Sequence, residues 1–96
     1  MAILTMFEIH GDTDKILADH AETIEPIANP LAEENGGLAN YMLKTEDGVL
    51  IVNVWENEEG MEKVAAAVRP KAQEAGLPTP QNWRKYEILR HNRTGS

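Results

Sequence analysis

Residues Val49 to Trp55 read VLIVNVW, an apolar run that only Asn53 interrupts. Its β-branched content and short length mark a strand rather than a helix. Successive side chains of a strand point to opposite faces, so Leu50, Val52 and Val54 share one face while Val49, Ile51, Asn53 and Trp55 share the other. A strand that is apolar on both faces belongs in the middle of a sheet that is covered on both sides. The rest of the chain must supply those two covers.

Ile3 to Ile9 repeats the pattern, with Ile3, Thr5, Phe7 and Ile9 on one face and Leu4, Met6, Glu8 and His10 on the other. Gly11 breaks this strand, Asp12 or Thr13 caps the following helix, and Asp14 falls where the helix dipole favours a carboxylate. Leu17, Ala21, Ile24, Ala28 and Leu31 form one helical stripe. Pro26 and Pro30 each remove an amide hydrogen, which predicts a kink or restart near Glu25, and Gly36-Gly37 ends the helix. Leu38 to Thr45 and Val49 to Glu56 read as a hairpin around Glu46-Asp47-Gly48. Asn57 caps a second helix whose Met61, Val64, Ala65, Val68, Ala72 and Ala75 share a side, with Pro70 predicting a kink. Trp83 to Arg90 alternates as a last strand.

The predicted order, βαββαβ, is that of a ferredoxin-like α+β fold: a four-stranded antiparallel sheet with two helices on one face. Residues 1–91 form the single domain and 92–96 a flexible tail. Two helices cover one face only, so the first and third strands require another cover for the second, and a twofold homodimer with sheets face to face supplies it.

Composition narrows the function. The 9 basic residues are outnumbered by 16 acidic ones, for a net charge of −7, and they are not grouped with aromatics, so nucleic acid and anionic membranes are excluded as partners. No apolar run approaches the ~20 residues of a membrane span, and with no signal-like amino terminus a cytoplasmic location is expected. The absence of cysteine removes thiolate chemistry. His10, His20 and His91 are spread over strand, helix and tail without metal-ligand spacing, so no metal site is expected.

Among candidate site residues, Asn53 and Trp55 share a strand face, and a buried amide must find partners or cost about 1–3 kcal/mol. Trp55 is first a packing residue and second a pocket wall. His20 lies between Leu17 and Ile24 on the inward flank of the first helix; its ordinary role is that of a satisfied core histidine, its sharper role that of a general base. His10, at the end of the first strand, faces either a pocket mouth or solvent.

Three stretches, Phe7-Glu8-Ile9 through Asp12, Gly36-Gly37, and Val54-Trp55-Glu56-Asn57-Glu58-Glu59, resemble the dimeric α/β barrel superfamily and within it the antibiotic biosynthesis monooxygenase family. The resemblance spans residues 2 to 90. It implies a small hydrophobic pocket between sheet and helices, and an oxygenase needing no cofactor, neither metal nor flavin, in which the carbanion of a small aromatic or polycyclic phenol reduces oxygen. His20 would then be the base, with Asn53, Trp55, Met6 and His10 as ligand-binding residues. The haem-degrading branch uses a first-strand asparagine, a tryptophan ending the third strand and a histidine on the second helix. Here only Trp55 matches: Met6 holds the first-strand position and the second helix has no histidine, so haem turnover is not expected. The alternative is a small-molecule-binding or structural dimer without catalysis.

Overall fold

The computed structural model describes residues 1–92. The tail expected over 92–96 therefore lies, except for Asn92, outside the described residues. The chain runs β1 (Ile3–His10), α1 (Thr13–Asp19), a π-helical turn (His20–Ile24), α2 (Glu25–Glu34), β2 (Gly37–Lys44), β3 (Gly48–Trp55), α3 (Glu58–Glu74) and β4 (Gln81–Glu87). All strand pairs are antiparallel and the sheet order is β2-β3-β1-β4, so the two doubly apolar strands occupy the centre. This is the ferredoxin-like α+β arrangement, with the helices on one face.

Local chemistry sets most boundaries. Asp12 caps α1 by accepting the Lys15 amide at 2.9 Å, and Asn57 caps α3 by accepting the Gly60 amide at 2.8 Å. Gly36 adopts φ +84° just after α2, the left-handed conformation that ends a helix and turns the chain into β2. α3 continues through Pro70 to Glu74, so its proline does not end the helix. β4 starts and ends earlier than its alternation suggests, at Gln81 and Glu87.

The first helical segment departs from a regular α-helix. Pro26 sits in the first turn of α2, and the π turn immediately before it closes with the Glu25 amide bonded to the His20 carbonyl. A π turn takes up one more residue than an α turn. Two successive turns therefore carry eight residues rather than about seven, which brings Ile16 and Ile24 into phase; both are buried, while Leu17 is 40% exposed. The stripe predicted through Leu17 is corrected to one through Ile16, because a periodicity of 3.6 was carried across a turn that does not obey it.

The core lies between sheet and helices in two clusters. Ile3, Trp55, Met61 and Val64 pack with Ala28, Leu31, Ala32 and Val68 at one end, and Ile9, Ile16, Val49 and Ile51 with Phe7 and Met42 at the other. On the opposite sheet face the pairing register aligns Tyr41, Val52, Met6 and Arg84 in one row and Ala39, Val54, Leu4 and Tyr86 in the next. Leu43 and Leu50 extend this surface, and Tyr41, Leu43 and Tyr86 are about half exposed. No helix is long and apolar enough to cross a membrane among the described residues.

Candidate functional site

A cavity of about 440 Å³ opens between the helices and the sheet, bordered by members of both core clusters. Its floor comes from the inward residues of the central strands, including Thr5, Phe7, Ile51 and Trp55. Ile24 and Ala28 form one wall, Met61, Val64 and Val68 the other, and Pro80 with Trp83 borders the β4 side. The alternation of β1 and β3 and the small residues of the helices leave this space: alanines 28, 32 and 65 stand where larger side chains would fill it.

Five polar groups of the cavity, those of Thr5, His20, Asn40, Asn53 and Trp55, have defined surroundings. The Trp55 indole donates its N–H to the Thr5 hydroxyl at 3.3 Å, in a contact where both residues are buried. That bond satisfies the one polar atom of the indole and leaves its apolar body as wall. Asn53 accepts a bond from the Asn40 amide at 2.6 Å across the β2–β3 pair. With its oxygen engaged, the Asn53 side chain keeps two N–H donors. The His20 Nδ1 lies 3.2 Å from a Glu25 carboxylate oxygen, and the ring borders both this cavity and a smaller one of about 40 Å³ lined by Ile9, Ile16, Leu77 and Pro78.

The structure brings His20, Asn53 and Trp55 to one cavity, but it separates Met6 and His10 from it. Met6 pairs with Val52 and Arg84 and so stands on the opposite sheet face, as period-two alternation from Thr5 and Phe7 requires. His10 is exposed at the end of β1 on that same face, its Nε2 3.3 Å from Glu8. Neither Met6 nor His10, both expected at a ligand, borders this cavity, because the face of a strand and not the position along it decides which side chains meet. Glu8 has its carboxyl held below the ordinary range, first by the Asn82 amide that donates to it at 2.8 Å and then by the His10 contact. Asn82 itself takes φ +52° at the irregularity where β4 slips against β1.

Trp83 is the lining residue that sequence reasoning missed. It lies half exposed on β4 and borders the cavity, so two tryptophans rather than one face the space. The available signal was its position: Trp83 and Lys85 alternate with Arg84 and Tyr86, and pairing of Lys85 with Thr5 puts the odd positions on the helix side. Lys85 on that side is bonded to Glu58 at the start of α3. No cluster of three or more metal-ligating His, Asp or Glu side chains occurs among the described residues.

No protein-family profile and no curated protein matches the sequence. Solved structures do match. SnoaB, a cofactor-independent oxygenase from Streptomyces nogalater, is 14% identical with a TM-score of 0.62, over 94% of this chain and 93% of that one. A protein provisionally named an antibiotic biosynthesis monooxygenase from Chloroflexus aurantiacus is 13% identical with a TM-score of 0.68, over 99% of this chain and 100% of the other. NE2512, of unknown function, from Nitrosomonas europaea, is 25% identical with a TM-score of 0.58, over 99% of this chain and 94% of that one. The shared property is architectural: this chain has the same ferredoxin-like fold as these structures.

Proposed function

We propose that the chain is a cofactor-independent oxygenase of the antibiotic biosynthesis monooxygenase type, acting on a planar aromatic or polycyclic phenol and working as a homodimer. The observation that carries this reading is the cavity: its volume falls in the range of small-molecule sites and its lining is mainly apolar, with two tryptophans and with polar side chains that include His20, Asn53, Glu33 and Arg69. The likeness to a cofactor-independent oxygenase supports the reaction class. In this scheme His20 takes a proton from an activated ring CH2, and Asn53 donates to the oxygen on which enolate charge develops. The carbanion reduces molecular oxygen to a hydroperoxide, which loses water, so that CH2 and O2 become C=O and H2O. Oxygen is the oxidant, and the chain contributes a base, a hydrogen-bond donor and a wall that excludes solvent. The paired sheets of a dimer would cover Tyr41, Val52 and Met6.

One observation favours a second reading, a non-catalytic binder. The Trp55 indole and the Asn53 oxygen already have partners within the chain. Oxygen uptake separates the two. With an anthrone, a chelator and no added flavin, the oxygenase consumes one O2 per substrate, and His20→Ala slows it by about 10². A binder quenches tryptophan fluorescence with the same compound and consumes no oxygen.

A further inference from the structure

The pairing of His20 with Glu25 depends on the irregularity in the first helical segment. Residues five apart on an α-helix lie about 140° apart around the axis and do not meet. Across a π turn the fifth residue comes back over the first, and here the amide of Glu25 bonds to the carbonyl of His20 while the side chains approach to 3.2 Å. The helix therefore presents a histidine and a carboxylate as a pair at the one place where its hydrogen-bond ladder is widened, and that place borders the cavity.

The chemistry of the pair fixes the ring. An ionised carboxylate only accepts, so the Nδ1 facing Glu25 must carry the proton, and a neutral imidazole then has its lone pair on Nε2. Glu25 is 39% exposed at its side chain and does not border the cavity, whereas His20 is 18% exposed and does. The ring edge bearing Nε2 is thus the one left for the cavity. We propose that Glu25 is a positioning residue for His20: held by the π turn, it selects the Nδ1–H tautomer, presents Nε2 as the proton acceptor and offsets the charge of the imidazolium formed when Nε2 accepts a substrate proton. The inference rests on the reading of His20 as the base. It adds that the widened turn supplies the carboxylate such a base needs.

The test uses the intact protein with ¹⁵N-labelled histidine. NMR of the imidazole nitrogens at neutral pH is expected to show His20 in the Nδ1–H form. Glu25→Ala should return it to the Nε2–H form usual for free imidazole, and Glu25→Gln, which keeps an accepting oxygen at the same reach, should restore the Nδ1–H form. Unchanged Trp55 and Trp83 indole signals establish that the variants are folded. An Nε2–H His20 in the parent, or a tautomer indifferent to Glu25→Ala, overturns the proposal. With an anthrone, Glu25→Ala should lower kcat about tenfold with KM little changed; an unchanged kcat overturns the positioning role. If the parent consumes no oxygen while the tautomer depends on Glu25, the oxygenase reading fails and the positioning of His20 by Glu25 stands.

Discussion

The Thr5–Trp55 bond ties together two central strands through their side chains. Thr5 is 3% exposed, so a substitution that keeps its shape and removes its hydroxyl leaves a buried indole N–H without an acceptor. Thr5→Val should cost about 1–3 kcal/mol in urea unfolding; a variant as stable as the parent would show that the indole finds another partner. Gly60 is constrained by sterics rather than hydrogen bonding. A Cβ there would overlap the carbonyl oxygen of Asn35, where the start of α3 crosses the end of α2. Gly60→Ala would raise helix propensity in a free peptide by about 1 kcal/mol, yet here it should destabilise by about 2 kcal/mol or more, because the clash is with backbone. Equilibrium unfolding decides the sign.

At the scale of elements, what was legible in the sequence was what obeys a simple period. The alternation of β1 and β3 gave the sheet centre and the shared face of Asn53 and Trp55; the spacing in α3 gave the wall through Met61, Val64 and Val68. Illegible was whatever broke the period. The π turn moved the inward stripe from Leu17 to Ile16. Met6 and His10 stand on the far side of the sheet from the cavity, where strand alternation puts them. Removing the extra residue tests the phase argument. Deleting Ala21 sets Ile16 and Ile24 seven apart, in phase on a regular α-helix, so the fold should survive with a melting temperature within a few degrees of the parent. Loss of cooperative unfolding would mean that the widened turn is needed for packing.

For the whole molecule, the sheet face away from the helices carries Leu4, Met6, Tyr41, Leu50, Val54 and Tyr86 around the buried Val52, an apolar face that no helix among the described residues covers. Light scattering at micromolar concentration should give twice the 10.7 kDa chain mass. Tyr41→Asp should return it to the monomer value: Tyr41 is 55% exposed, so a charge there affects the face without entering the core. Val52, on the same row, is a poorer choice because it is already buried between its neighbours. The cavity lies on the other side of the sheet, so ligand binding and dimerisation should be separable. The most direct test of the central claim, that this cavity takes a planar aromatic, is calorimetric titration of an anthraquinone into the parent and into Ala65→Trp, whose indole would fill the space beside Val64 and Val68. One site per chain is expected in the parent and none in the filled variant. Equal binding in both would place the ligand elsewhere and contradict it.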